Sequence, residues 1–224
     1  MHKTVGLMGR KIGMTQVFDA DGAAIPVTVV VLGENIVTQK LTAEKNGYVA
    51  IQVGGFVVKE KKLNKPELGG FKKQNLPPLK PLREYRLDDI ESYSIGEAVK
   101  LDEVLKPGML VDVQGKSIGK GFAGTVKRWN AHRGPMSHGS KFHRSMGSIG
   151  AGTTPGRVFK GLHMPGQMGN VTRTTTHLKV FAVDVEKRRV LIQGAVPGCD
   201  GGTVTIKASI TKWNQKHPVA AKSK

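Results

Sequence analysis

Between Asp112 and Asp184 lie 71 consecutive residues without one Asp or Glu, and they carry 11 Lys and Arg. A like-charged block of this length repels itself unless a polyanion neutralises it. Its middle is harder still to fold. "RGPMSHGSKFHRSMGSIGAGTTPGR", Arg133 to Arg157, holds six glycines, two prolines and four cations. Its apolar residues Met136, Phe142, Met146, Ile149 and Ala151 keep neither strand nor helix spacing for long. Such a segment cannot bury enough surface to offset its ordering entropy. It is either a solvated loop or a chain whose surroundings another molecule supplies.

The other 153 residues hold 24 cations and all 17 acids, so the charge is concentrated in the block. The net charge of +18 points to a polyanionic partner, nucleic acid before an anionic membrane. A hydrophobic fraction of 38% supports a core in a chain of 224 residues. The lone Cys199 excludes an internal disulfide framework and fits a reducing compartment. No apolar run approaches the ~20 residues of a bilayer-spanning helix. The start, "MHKTVGLMGRKIGMTQVF", has no signal-peptide core, so the expected address is cytosolic.

Outside the block the pattern is β. "TQVF", "IPVTVVVL", "NIVTQKL" and "YVAIQVGGFVV" are rich in Val, Ile and Thr, and "DADG", "GEN" and "EKNG" between them have turn chemistry. Residues 59–83 turn basic and rich in Pro and Gly, with room for one short helix over 66–73. "REYRL", "AVKL" and "MLVDVQG" return to strand patterning. After the block, "HLKVFAVDVEKRRVLIQGAVPG" predicts a hairpin turning near Glu186 to Arg188, and "GGTVTIKASI" a closing strand. Strands on both sides of the block must pair to complete one domain. The expectation is a mainly β protein: a barrel from 1–125 and 177–212, carrying the small insertion at 59–83. From it a long irregular extension, 126–176, makes an excursion, and a basic C-terminal tail, 213–224, follows.

Several motifs suggest enzymes and then fail. "GKGFAG", Gly119 to Gly124, matches G-x-G-x-x-G, but a dinucleotide site needs a following helix and an acid about 20 residues on, and residues 139–146 contain none. "QGKS", Gln114 to Ser117, lacks the first glycine of a P-loop, because Leu110 stands there. His132, His138 and His143 have no Cys or carboxylate nearby to complete a metal set. Ser137 beside His138 has no acid in the block to orient a base.

Binding to RNA uses what these readings leave idle. Lys116, Lys120, Lys127, Arg128, Arg133, Lys141, Arg144, Arg157 and Lys160 can neutralise phosphates. Ser140, Ser148, Asn170 and the amide of Gln167 can reach sugars, phosphates or base edges. Trp129, Phe142, His132, His138, His143 and His163 can stack on unpaired bases. Pro165, Gly166 and Gly169 around Gln167 read as a tight turn that displays it near the tip of the excursion. No helix-turn-helix, zinc-finger spacing or basic zipper is present.

"GKGFAGTVKRWN", His138-Gly139, His143-Arg144, "GSIG", "TPGRVFKG" and "MPGQMGN" follow in one order. With "GLMGRKIGMTQVF" before them and "GAVPG" after, the chain resembles the bacterial form of large-subunit ribosomal protein L3 over nearly its whole length. The resemblance implies a translation-protein-type β-barrel with an internal extension reaching through large-subunit ribosomal RNA toward the peptidyl-transferase centre. It implies early assembly of the subunit, contacts with neighbouring ribosomal proteins, and no catalysis. Cofactor, metal, membrane and small-molecule substrate are all expected to be absent. The implied place is the ribosome of the cytoplasm or of an organelle stroma. It also implies that Gln167 is a target of N5-methylation. The chain departs from the family at "NVTRTTTHLKV", where Arg173 stands at a position commonly occupied by valine. The runner-up is a free RNA-binding or RNA-chaperone protein.

Overall fold

A computed structural model describes residues 4–209. The tail expected at 213–224 lies outside the described residues. The chain divides into two compact units: residues 1–116 with 172–224, and Ser117–Val171.

The first unit is built from β1 (Leu7–Phe18), β2 (Ala24–Leu32), β6 (Leu110–Lys116), β9 (Thr172–Asp184), β10 (Arg189–Gln193) and β11 (Thr203–Ala208). They close into an antiparallel barrel in the order β1-β11-β6-β9-β10-β2. Strand β1 opens the first half and β11 closes the second, so the barrel exists only when both ends of the chain are present. Alternation of buried and half-buried residues along β2, Val27 to Leu32, sends Val30 and Leu32 into the core. Val111, Val113, Val180, Val190, Ile192, Val204 and Ile206 meet them there. These β-branched side chains suit a pleated, enclosed surface.

A three-stranded sheet follows, β3 (Ile36–Leu41), β4 (Ala50–Val57) and β5 (Leu79–Arg86), in the order β3-β4-β5. Sequence pattern alone assigns "NIVTQKL" and "YVAIQVGGFVV" to the same domain as β1 and β2. They pair with each other, and β4 also with β5, instead of joining the barrel, though Val37, Ile51 and Val53 share its core. The turn expected at "EKNG" is a single helical turn, α1 (Ala43–Asn46), closed by Gly47 at φ 77°. The basic insertion springs from this second sheet. A 3-10 turn at Glu60–Lys62 leads to α2 (Lys65–Lys73), where the Glu67 carboxylate accepts the Asn64 N–H at 3.1 Å and caps the first turn. "AVKL" is not a strand. Ala98 makes one isolated bridge to Ile36, and Leu101 starts a helical turn, α3 (Leu101–Val104). Leu101 and Leu105, four apart, are both buried; a strand would turn acidic Glu103 to that same face, whereas a helical turn does not.

Asn35 joins the barrel to this sheet. It is 1% exposed and sits at φ 50°. Its side chain accepts the Met8 N–H at 2.7 Å and donates to the carbonyls of Met8 and Gly33 at 3.1 and 3.0 Å.

The contact boundary at 116/117 and 171/172 differs from the expected 125/126 and 176/177. Thr172 pairs with Lys116 and Arg173 with Gly115, so β6 and β9 stay zipped to the point where the chain departs. "GKGFAG" therefore belongs to the excursion, and "TRTTT" to the barrel.

Candidate nucleic-acid interface

Ser117–Val171 starts and ends on one closed loop of hydrogen bonds. Ser117 N–H donates to the Val171 carbonyl at 2.9 Å, and Asn170 N–H donates to the Ser117 carbonyl at 3.1 Å. The Ser117 hydroxyl adds a 3.0 Å bond to the Val171 carbonyl. Gly169, at φ 70°, lets the returning chain pass Ile118, whose carbonyl a β-carbon there would overlap. Next comes a two-stranded ladder, β7 (Gly121–Ala123) and β8 (Gly166–Met168), in which Phe122 lies opposite Gln167.

This corrects the expectation for Gln167. It stands in a strand near the root of the unit rather than in a turn at its tip. The turn chemistry read from Gly169 is real but falls after the strand, at Gly169 and Asn170, both with positive φ. The Gln167 side chain is exposed, and its amide donates to the Met168 carbonyl at 3.1 Å.

The glycine-rich motif is likewise a strand rather than a phosphate-binding turn. A helix does follow it, α4 (Thr125–Trp129), but it is one turn long. The helix forms a brace. Arg128 Nη1 and Trp129 Nε1 both donate to the Met164 carbonyl, at 2.8 and 2.9 Å. His163 lies flat on Trp129, with centroids 4.0 Å apart and planes inclined by 8°. A β-carbon on Gly166 would come within 2.6 Å of Arg128 Nη1, so a side chain there would push the guanidinium aside. Trp129, expected as a base-stacking platform, thus has His163 stacked on it.

A second knot ties residues 134–143. Gly134 N–H donates to the His143 carbonyl at 2.8 Å, and His143 Nδ1 lies 3.1 Å from the Pro135 carbonyl. Gly134 passes so close to the Phe142 carbonyl that no side chain fits between them. His138 takes φ 58° beside Gly139, and the Ser140 hydroxyl accepts the Phe142 N–H at 3.3 Å. Further on, the Ser148 hydroxyl donates to the Gly150 carbonyl at 2.9 Å.

The cations are held out. Lys120, Lys127, Arg133, Lys141, Arg144, Arg157 and Lys160 are exposed, and only Arg128 is half-buried. None has a carboxylate partner in its own unit, because the unit contains no acid. His132 and Asn170 are exposed, as is Lys116 at the end of β6 in the barrel unit. Large apolar side chains stand among the cations, notably Phe122 at 79% exposure and Phe159 at 60%. Sequence reasoning missed both as aromatic platforms. The Arg157 guanidinium over the Phe159 ring, at 5.7 Å, shows the signal that was available: a cation two residues from an aromatic in an extended stretch. Among the described residues no three His, Cys, Asp or Glu side chains gather around a metal-sized space. No helix among them is long and apolar enough to cross a membrane.

The family model for ribosomal protein L3 matches residues 86–189. The chain is 57% identical over 203 residues to large ribosomal subunit protein uL3 of Crocosphaera subtropica, covering 90% of this chain and 95% of that one. It is 52% identical to uL3 of Thermosynechococcus vestitus, over 91% of this chain and 95% of the relative. The same identity holds for uL3 of Acaryochloris marina, over 91% and 96%. Identity of that degree across nine-tenths of the chain leaves one assignment: it belongs to the bacterial branch of the ribosomal protein L3 family.

Proposed function

We propose that the chain is a structural component of the large ribosomal subunit, without catalytic activity, which binds large-subunit ribosomal RNA through Ser117–Val171. The observation that most supports this is the set of exposed cations in a unit that contains no acid and is braced by its own main chain. A surface of that kind stays self-repelling until phosphates lie against it. Exposed Phe122, Phe142 and Phe159 offer faces to unpaired bases. Bound early, the barrel anchors the subunit RNA near the surface. The excursion then orders RNA close to the peptidyl-transferase centre, and neighbouring ribosomal proteins complete the surroundings. Its place is the ribosome of the cytoplasm or of an organelle stroma.

Gln167 takes part by positioning RNA. Its ladder pairing with Phe122 is main-chain, and its exposed amide, which spends one N–H on the Met168 carbonyl, keeps the other N–H and its oxygen for RNA or for N5-methylation. Intact-mass measurement of the ribosome-derived chain tests the modification.

Co-sedimentation with large subunits through a high-salt wash, followed by a protein–RNA crosslink map, tests the whole reading. Crosslinks are expected at Lys120 to Arg144 and Arg157 to Lys160. A chain that washes off while still binding RNA in solution would instead be a free RNA-binding protein.

A further inference from the structure

The acid-free block has a counterpart of opposite sign. From Ile12 to Gln39 the chain has no Lys, Arg or His, while Asp19, Asp21 and Glu34 fall inside. These 28 residues include the outer half of the β1–β2 hairpin, with Asp19 and Asp21 at its exposed turn. In a chain of net charge +18, a 28-residue run of net charge −3 is poorly suited to phosphate.

The same hairpin has an open edge. Strand β1 pairs with β11 only from Leu7 to Arg10. Lys11 makes the last main-chain bonds on that side, to Gly202 at 3.0 Å and from Gly201 at 2.7 Å. The register with β2 then slips between Lys11 and Gly13. Beyond the slip, β1 has β2 on one side and no strand on the other among the described residues. The register identifies the groups left over. The Pro26 carbonyl accepts the Gly194 N–H at 3.0 Å, so Pro26 turns its main chain away from β1. Gln16 opposite it therefore sits in a non-hydrogen-bonded pair, with its N–H and C=O aimed at the open edge. The two-residue period gives Met14 and Phe18 the same orientation. Their side chains are also uncovered, Met14 at 51% and Phe18 at 63% exposure, as is Ile12 at 52%.

Proteins usually guard such an edge with lysine, proline or an added cover. Gly13–Phe18 has no lysine and no proline. We propose that this edge of β1 receives an extended segment of a second, basic protein, which adds a strand along Met14, Gln16 and Phe18. Main-chain bonds supply the pairing, Met14 and Phe18 the apolar contact, and Asp19 and Asp21 the attraction to a cationic chain. Residues 210–224 of this chain are also basic and are the rival occupant that the crosslink distinguishes from a second molecule. The proposal adds an interface to the ribosomal reading and rests on it only for the setting in which the partner is met.

The test puts p-benzoylphenylalanine in place of Phe18 in the full-length chain and irradiates living cells. The expected product is a crosslink to one other protein, in a segment rich in Lys and Arg, identified by mass spectrometry. Gln16→Pro removes an N–H that the β1–β2 ladder does not use, and should lower the crosslink yield roughly fivefold to tenfold, the weight of about one hydrogen bond. Its melting curve should match the parent's; if it does not, Met14→Glu, which alters only an exposed side chain, takes its place. A crosslink to RNA, to residues 210–224 of the same chain or to an acidic protein would overturn the proposal. So would the absence of any crosslink, or a yield that neither variant changes. Sedimentation of the same cells is read separately: failure to travel with large subunits sinks the ribosomal reading and leaves the crosslink interpretable.

Discussion

Asn35 ties two elements of the barrel unit together from a single buried side chain. Three side-chain bonds converge on it, and its φ of 50° is one that few residue types accept. Asn35→Ala strands the buried N–H of Met8 and should lower stability by about 3 kcal/mol, the cost of an unsatisfied buried donor plus lost bonds. Urea titration followed by far-UV circular dichroism measures it. Nothing in "GEN" beyond turn chemistry announces this role, because the partner, Met8, is distant in sequence. Tyr85 sets a pH limit. Burial pushes its hydroxyl up to about 12, while an unfolded tyrosine ionises near 10. In that interval the unfolded chain gives up the proton and the folded one keeps it. Stability is therefore intact below about pH 10 and falls as pH rises toward about 12, by at most about 2 to 3 kcal/mol. Tyr85→Phe should flatten this extra loss, seen by comparing the two proteins' urea midpoints at about pH 9 and about pH 11.

Elements differ in how far a local pattern can identify them. Strand β2 is legible because Val, Ile and Thr dominate it and one of its faces is enclosed from Thr28 to Leu32. Its sheet is not legible, since "NIVTQKL" has the same local character and pairs elsewhere. Helix α3 escapes a strand-based reading because Leu101 and Leu105 declare their spacing only across the end of "AVKL". Ladder β7–β8 escapes because its two strands are three residues each and far apart in sequence. Between α4 and β8 no described residue belongs to a strand or helix of its own, so residues 130–165 rely on the Met164 brace and the knot at 134–143. Limited proteolysis of the RNA-free chain should first cut within 130–165, and large-subunit RNA should suppress those cuts. First cuts in β2 to β4 would contradict this picture. Trp129→Ala, which removes one of the two bonds to Met164 and the stack with His163, should speed cleavage there without changing the barrel's melting temperature.

At the scale of the whole molecule, charge separates what the fold joins. If about half of the 11 cations between residues 113 and 183 each neutralise a phosphate, log affinity for large-subunit RNA should fall with log salt at a slope of roughly −4 to −5. Arg144→Glu should weaken binding and reduce that slope, and so should Arg128→Glu, which also breaks the bond to Met164. Lys45→Glu, on the helical turn α1 of the other unit, should do little. Filter binding across a salt series distinguishes these cases, and equal effects at all three sites would mean that bulk charge alone binds. The family and the acid-free excursion were legible from the sequence because an acid-free run and long ordered motifs are local facts. Gln167 was misplaced because the strand it joins is set by Phe122, which no local window contains.

The zipped base of β6 and β9 has a bearing on ancestry as well as architecture. Since Lys116 and Thr172 already face each other across a ladder, the barrel registers only that its two strands are joined, and little of what joins them. Closing a loop of roughly 55 residues costs only about 2 kcal/mol more than closing one of five. Lineages could thus lengthen, shorten or rewrite the excursion while the β scaffold stayed the same.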